Sequence, residues 1–281
     1  MGARILAVVA AVAMVVGAAV LRGRLDDRRE RAGTTLRLAC SPDLEAVCSA
    51  LEAQKASGVD ATVQPDAQTA DLLTDLAPGA PAPFDGWLTT TPWPAIVDEA
   101  RERAAKAPVL APGPVLARSP VVLAVRADRG TALAGHCGAE PGWRCLGEVA
   151  GRPWAELAGE ERGWGLVRPG LPSVATAAGI TVRGGAVVSY FDGTVAPPDL
   201  SSQELLDPGF GAWLGRLEGG GRSGAVSPFE TLLVRPAFDA VGALEAEAGP
   251  GAATAAGTKP ALFYPSPVVT ADVALPTTER V

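Results

Sequence analysis

The sequence predicts an α/β fold behind an N-terminal membrane segment. Short β-prone runs alternate with segments of helical periodicity, a pattern typical of a sheet with helical crossover connections. With 281 residues, of which 48% are hydrophobic and 20% charged, the chain is long enough for one large core or two smaller ones. The third observation is an uncharged apolar run close to the start of the chain.

The apolar run covers residues 5–21, ILAVVAAVAMVVGAAVL. As a helix it would span about 26 Å, close to the ~30 Å hydrocarbon core of a bilayer. Two interpretations stay open: an uncleaved anchor, favoured by the length of the run and the arginines after it, and a cleaved signal peptide, favoured by its last small residues. Both place the remainder outside the cytoplasm. Residues 22–33 carry mixed charge and predict a solvated spacer, so folding is expected to begin at Thr34.

The first folded unit is predicted to be a strand, a tight turn and a helix. The β-prone run TTLRLAC precedes SPDLEAVCSALEAQ, in which Ser41 suits an N-cap and Pro42 a first helical residue. The apolar residues of this helix fall at i, i+3, i+4 and i+7, on one face: Leu44, Val47, Cys48 and Leu51.

The same alternation continues along the chain. FDGWLTT is predicted as a strand, PAIVDEARERAAKA as a helix and SPVVLAVRA as a buried strand. A helix near LGEVA, a strand in RGWGLVRPG and a loop and helix in LPSVATAAGITVRGGAVVSYF follow.

The last third of the chain is predicted to hold more helices, a linker and two strands. SSQELLDPGFGAWLGRLEGGG suggests two helices broken at Pro208, and residues 219–223 a flexible connection. Ser227 and Glu230 stand in capping-box register at the start of SPFETLLV. FDAVGALEAEA and PALFYPSPVV are interpreted as strands.

Four cysteines in an exported chain favour two disulfides. The spacings support pairing of neighbours, Cys40 with Cys48 and Cys137 with Cys145, while the other two connectivities stay open. Cys40 does not fit a lipid anchor, because Arg37 stands where a lipobox needs an apolar residue. Zinc would favour more closely spaced pairs, so no metal site is predicted.

The order of these pieces resembles the extracytoplasmic solute-binding proteins of the type 2 periplasmic-binding fold, in particular the molybdate-like branch and actinobacterial versions that carry a von Willebrand A domain. The resemblance rests on RLACSPDL, FDGWLTTT, LARSPVVLAV, WGLVRPGLPSVATAAG and FDAVGALEAEA, and spans about residues 34–270. It implies two lobes: lobe one from residues 34–118 and 236–281, and lobe two from residues 119–235.

The sequence departs from that family in two places. The chain stops soon after FYPSPVVTADVALPTTERV, where family members usually add helices that complete lobe one. A von Willebrand metal site needs Asp-x-Ser-x-Ser, and the run from Asp199, DLSSQ, lacks the last serine. A partner with that domain, like the ABC permease that the resemblance implies, would be a separate chain.

Candidate ligand-binding residues follow from two-lobed α/β architecture, in which ligands lie at the carboxyl ends of strands and at helix N-termini. Hydroxyl groups there can donate to an oxyanion without burying a fixed charge, although each can equally be a helix cap or turn residue. Arg118 could pair with an anionic ligand or cover the hinge. The candidates are Ser41, Thr89, Thr90 and Thr91 in lobe one, Ser173 and Thr176 in lobe two, and Arg118 and Ser119 at the crossover.

Several classes of function are disfavoured. The net charge of −7 and the absence of a basic cluster argue against nucleic-acid binding. His136 is the single histidine, predicted in a surface loop, and no Gly-x-Ser-x-Gly elbow serves it, so no catalytic residue and no cofactor are expected.

The sequence thus predicts capture of a small solute or oxyanion between two lobes, at the membrane or secreted. The alternative is a surface interaction or sensor domain that has the same fold but no ligand. A cleft blocked by Trp87 or Trp93 would favour this alternative.

Overall fold

The computed structural model describes residues 35–54, 58–158, 163–191, 201–219, 227–255 and 259–278. Within these ranges, no helix is both long and apolar enough to cross a membrane. The predicted membrane segment and spacer at residues 1–33 lie outside the described residues, as does most of the predicted connection at 219–223.

In the described ranges, ten strands join in one mixed sheet, numbered here along the chain. They are β1 (Leu36–Cys40), β2 (Val59–Val63), β3 (Gly86–Thr90), β4 (Leu110–Ala111), β5 (Val115–Val125), β6 (Pro169–Gly170), β7 (Ala240–Leu244), β8 (Ala261–Phe263), β9 (Thr270–Ala274) and β10 (Thr277–Thr278). Their main order is β2-β1-β3-β9-β5-β7-β6, with β10 on β3 and β4, and β8 on β5. The predicted α/β fold is confirmed.

The helices pack on both sides of this sheet. They are α1 (Glu45–Ala53), α2 (Asp66–Asp75), α3 (Trp93–Arg103), α4 (Ala127–Cys137), α5 (Trp143–Val149), α6 (Trp154–Ala158), α7 (Ala177–Tyr190), α8 (Ser202–Leu205), α9 (Pro208–Glu218), α10 (Pro228–Val234) and α11 (Glu245–Thr254). A 3-10 turn, Pro42–Leu44, precedes α1.

Two units are built on this sheet, and we call them lobe one and lobe two. In lobe one, β1 pairs in parallel with β2 and β3, and α1, α2 and α3 pack beside these strands. In lobe two, the second half of β5 pairs with β7 and β8, and β7 pairs in parallel with β6. The strands β5 and β9 join the lobes, because β9 lies between β3 and the first half of β5.

The strand pairing bears on one predicted lobe boundary. The sequence predicts that residues 236–281 return to lobe one, and Ala240–Leu244 pairs with Val121–Val125 of lobe two. Among the described residues of this segment, only Val273 and Ala274 of β9 and the strand β10 pair with strands of lobe one. We therefore propose that lobe two extends to about residue 269, with residues 270–278 returning through the junction.

Some predicted elements differ from those observed. Strand FDAVGALEAEA ends at Leu244, and α11 follows because its first residues are good helix formers and Ser119 Oγ accepts from the N–H of Ala246, 3.0 Å away. Strand RGWGLVRPG shrinks to Pro169–Gly170, because Gly163 and Gly165 adopt φ of 64° and 74° and interrupt an extended run.

Several further elements lacked a clear sequence signal and were not predicted. They are the strands β2, β4, β9 and β10 and the helices α2, α4 and α6. His136, expected in a loop, lies in the last turn of α4 with its side chain exposed.

Each lobe has its own core, and one helix contributes to both. The core of lobe two includes the buried side chains of Trp143, Trp154 and Trp213, together with Val182 of α7. Trp87 and Trp93 are buried in the core of lobe one, where Ala177 and Ile180 of α7 also pack. The lobes are thus closed on each other through the first turn of α7.

Both neighbouring cysteine pairs are bonded, so the expectation of two disulfides is confirmed. Cys40 is bonded to Cys48 with a Cα–Cα distance of 6.6 Å, which links the end of β1 to α1. Cys137 is bonded to Cys145 with a Cα–Cα distance of 5.8 Å, which links α4 to α5.

We predict that replacing Cys137 and Cys145 by serine lowers the free energy of unfolding by about 2–3 kcal/mol, since closing a loop this short restricts the unfolded chain by that amount. Denaturant melts of the oxidised double variant and wild type measure the difference. Equal midpoints and slopes for the two proteins would show that this bond contributes nothing to stability.

Candidate ligand cleft

The candidate cleft lies where the carboxyl ends of β1 and β3 in lobe one face the N-terminus of α7 in lobe two. Strand β1 ends at Cys40, directly before Ser41, and β3 ends at Thr90. Parallel strands bring their carboxyl ends to one edge of the sheet, so side chains that follow different strands meet there.

Asp66, the first residue of α2, is the centre of the lobe-one side. Ser41 Oγ donates to its Oδ2 at 2.7 Å, and Thr89 Oγ1 donates to its Oδ1 at 2.8 Å. All three residues have a relative exposure of 0%. The hydroxyl group of Ser41 therefore binds this carboxyl group and makes no capping hydrogen bond to the 3-10 turn that follows it.

The backbone amides at the start of α7 complete the contact between the lobes. The N–H of Ala178 donates to Asp43 Oδ2 at 3.2 Å. The amide of Ala177 faces the Asp66 carboxyl group and lowers its pKa. The free N–H groups and the positive dipole end of a helix N-terminus favour such acceptors. In this structure, carboxyl groups of the chain itself take the position that an anionic ligand would take at this helix.

The lobe-two hydroxyl groups are engaged inside the first turn of α7. Thr176 Oγ1 accepts from the N–H of Gly179 at 3.1 Å and donates to the carbonyl of Ser173 at 2.8 Å. Ser173 Oγ accepts from the N–H of Ala175 at 3.2 Å. These groups act as the cap and turn residues that the alternative interpretation of the sequence described.

A second polar contact crosses between the lobes further along α7. Thr181 Oγ1 donates to the carbonyl of Ala177 in its own helix at 2.9 Å, and it lies 3.2 Å from the carbonyl oxygen of Thr91. Thr90, beside it, is 1% exposed, and its Oγ1 has no hydrogen-bond partner within the described ranges.

The crossover residues have partners in the junction. Arg118 Nε lies 3.3 Å from Asp272 Oδ1 on the neighbouring strand β9, and its side chain is mostly exposed. Ser119 is buried and supports the start of α11. Arg118 thus covers the junction, as one of its two predicted roles required.

Burial raises the pKa values of three carboxyl groups at the cleft. Burial raises the pKa of Asp66 to about 6, although hydrogen bonds from Ser41, Thr89 and Ala177 oppose the rise; the charge of Asp43 adds to it. Burial also raises the pKa of Asp43, which lies at the rim, against the hydrogen bond from Ala178.

Glu247 of α11 is the third of these carboxyl groups. Burial raises its pKa, the hydrogen bond from Ser227 lowers it, and the charges of Asp43 and Glu230 raise it again. The charge of Asp43 in lobe one thus acts on Glu247 in lobe two. No arginine or lysine of the described residues pairs with Asp43, Asp66 or Glu247, so like charges dominate the cleft.

The predicted ligand-binding residues lie in different parts of the structure. Ser41, Thr89 and Thr176 lie around the contact, whereas Arg118 and Ser119 belong to the junction and Thr90 lacks a polar partner. The sequence prediction missed the three carboxyl groups: Asp66 begins a helix that was not predicted, Asp43 was interpreted as part of a helix start, and Glu247 lies in a segment interpreted as a strand.

Within the described residues, no group of three or more histidine, cysteine, aspartate or glutamate side chains is arranged to hold a metal ion. A cavity of about 590 Å³ lies elsewhere, in lobe two, between the start of α4 and the ends of α10 and α11, and contains none of the predicted site residues.

No family model matches the chain, and no curated protein matches it. Among solved structures, the chain is similar to the ferric binding protein from Campylobacter jejuni, with 8% identity, a TM-score of 0.53 and coverage of 88% of this chain and 76% of that one. It is also similar to the periplasmic binding protein AfuA from Actinobacillus pleuropneumoniae, solved with fructose-6-phosphate, with 10% identity, a TM-score of 0.52 and coverage of 88% and 75%. At such identities the likeness shows the fold alone. The predicted resemblance to periplasmic binding proteins is confirmed at that level.

We predict opposite effects for two glycine substitutions in α7. A Cβ at Gly179 would lie 1.9 Å from the carbonyl oxygen of Ser173, so Gly179→Ala must displace the first turn and lower the free energy of unfolding by about 1–3 kcal/mol. Gly184 has no atom within 4 Å of that position, so Gly184→Ala, the matched control, should raise it by roughly 0.5–1 kcal/mol. Urea unfolding measures both, and a Gly179→Ala protein as stable as wild type would contradict this packing.

We predict that Asp66 makes stability fall as pH rises. A pKa of about 6 in the folded chain, against 3.8 ordinarily, means that its contribution is complete below pH ~4 and is lost as pH rises through about 6. The free energy of unfolding of the wild-type protein should fall by up to about 3 kcal/mol across that window because of Asp66, and Asp66→Asn should abolish this fall. Urea melts between pH 4 and 7 measure it. Asp71→Asn, exposed on the same helix, is the control, and equal pH slopes in wild type and Asp66→Asn would contradict the prediction.

Proposed function

We propose that the chain is an extracytoplasmic solute-binding protein that captures a small solute between its lobes and catalyses no reaction. The supporting observation is the contact of the α7 N-terminus with the carboxyl ends of β1 and β3, beside the joining strands β5 and β9. Closure of two lobes around a hinge buries whatever lies at such a contact, and a solute that binds better to the closed state shifts the lobes toward it.

The amides of α7 indicate what the solute offers. In the closed chain the amide of Ala178 donates to Asp43 and that of Ala177 faces Asp66, so a solute that replaces either carboxyl group must supply an acceptor oxygen. Oxyanions, sugars, sugar phosphates and carboxylates all carry such oxygens. The similar solved structures include an iron-binding and a sugar-phosphate-bound protein, which supports solute binding as a general role.

The location and partners form part of the same proposal. Two disulfide bonds support an oxidising compartment outside the cytoplasm. The apolar run at residues 5–21 would tether the chain to the membrane unless it is cleaved. The resemblance to the molybdate-like branch supports delivery of the solute to an ABC permease, or action with a separate von Willebrand A-domain protein.

A second candidate function is a surface interaction or sensor domain without a ligand. It is favoured by the internal hydrogen bonds of Ser173 and Thr176 and by the carboxyl groups that already occupy the α7 N-terminus. Under this alternative, the closed arrangement is permanent, and the protein surface carries the function.

A thermal-shift screen of the full chain in a mild detergent tests the proposal against oxyanions, sugars, sugar phosphates, amino acids and short peptides. We expect one class to stabilise the protein by about 2.7 kcal/mol at 100 times its dissociation constant. Ser41→Ala should weaken that shift because it disturbs Asp66, whereas Thr254→Ala, exposed on α11, should leave it unchanged. If the protein is folded and no compound raises its melting temperature, the result would favour the second candidate function, a surface interaction or sensor domain.

A further inference from the structure

The contact between the lobes includes carboxyl groups whose charge depends on pH. Asp66 faces the hydroxyl groups of β1 and β3 and the amide of Ala177. Asp43 faces the amide of Ala178, and Glu247 faces Ser227 at the start of α10. The charges that act on these three groups are the carboxylates of the same set and Glu230.

Ionisation of these groups opposes closure for two physical reasons. Asp66 has a relative exposure of 0% in the closed protein, and a carboxylate removed from water loses hydration that three neutral hydrogen bonds only partly replace. Asp43 in lobe one and Glu247 in lobe two repel each other when both are ionised. Both effects disappear when the lobes separate and water enters.

A protonated carboxyl group keeps most of the contact. Its carbonyl oxygen still accepts from a backbone amide, and its hydroxyl hydrogen can be donated to Ser41 or Thr89, since a hydroxyl group both donates and accepts. The packing of Ala177 and Ile180 in the core of lobe one is independent of charge. Closure without solute is therefore compatible with a neutral cleft.

We propose that Asp43, Asp66 and Glu247 form a pH-controlled lock: with these groups protonated the lobes stay closed without solute, and as the groups ionise the lobes separate and the α7 N-terminus becomes free. The lock deepens the proposed function, on which its role in solute uptake rests. At acid pH the protein would be closed, with its own carboxyl groups at the α7 N-terminus. Near neutral pH it would be open to solute.

The direction follows from linkage. The closed state binds a proton at Asp66 with a pKa of about 6, and the open state, with this group in water, binds it near the ordinary value of 3.8. Between those values the closed state holds more protons, so the closing equilibrium constant falls as pH rises, by about 10- to 100-fold from pH 4 to pH 7. Asp43 and Glu247 act in the same direction.

Amide hydrogen exchange of the full chain in a mild detergent, without solute, tests the lock. Protection factors corrected for intrinsic exchange report opening even when the open state is rare. We expect peptides on both sides of the cleft, around Ala177–Ala178 and around residues 89–91, to lose protection together by about 10- to 100-fold between pH 4.5 and pH 7.5. Peptides of β7, in the core of lobe two, should keep their protection over the same pH range.

Variants separate the lock from fraying of one helix. Asp66→Asn and Glu247→Gln should each flatten the pH dependence, and Asp71→Asn should retain it. Circular dichroism checks that each variant folds. If a variant does not fold, the pH dependence of the wild-type protein still tests the lock. Unchanged protection across this pH range, loss at α7 alone, or the same pH dependence in Asp66→Asn would each overturn the lock.

The solute screen is read separately. If no solute shifts the melting temperature while exchange follows pH as expected, the lock holds and the proposed function fails. If a solute binds but protection is independent of pH, the proposed function holds and the lock fails.

Discussion

The rest of the structure depends on the contact between the first turn of α7 and two carboxyl groups of lobe one. A helix begins with N–H groups that have no partner inside the helix. Thr176 satisfies the N–H of Gly179, the N–H of Ala178 finds its acceptor in Asp43 across the cleft, and the amide of Ala177 faces Asp66. Because α7 also packs in the cores of both lobes, closure completes its polar and its apolar contacts together.

This contact is costly in electrostatic terms. A buried carboxylate is stabilised best by a cation, yet Asp66 receives only neutral donors. Arg118, the cation among the predicted site residues, pairs with Asp272 in the junction. The raised pKa of Asp66 reflects this, because the loss of hydration on burial outweighs the stabilisation by those donors. An apolar or amide side chain would close the lobes at lower cost, so stability alone does not account for a carboxyl group at this position.

Local patterns could be predicted from sequence, and contacts between distant segments could not. The β1–turn–α1 unit and both disulfides follow from spacings of eight residues or fewer. Ser41 is a predicted cleft residue, but its bond to Asp66 could not be predicted, because Asp66 is 25 residues away and begins a helix with a weak signal. The bond between Asp43 and Ala178 joins residues 135 apart, so only the folded sheet reveals it.

The same contact limits which solutes can close the lobes. A solute at the α7 N-terminus must replace an acceptor that the chain supplies from a few ångströms away, at high effective concentration. If it carries several negative charges, it meets Glu247 and the remaining aspartate with only the helix dipole to offset the repulsion. A neutral or singly charged solute with acceptor oxygens avoids most of that repulsion. The acidic cleft therefore favours solutes of low charge.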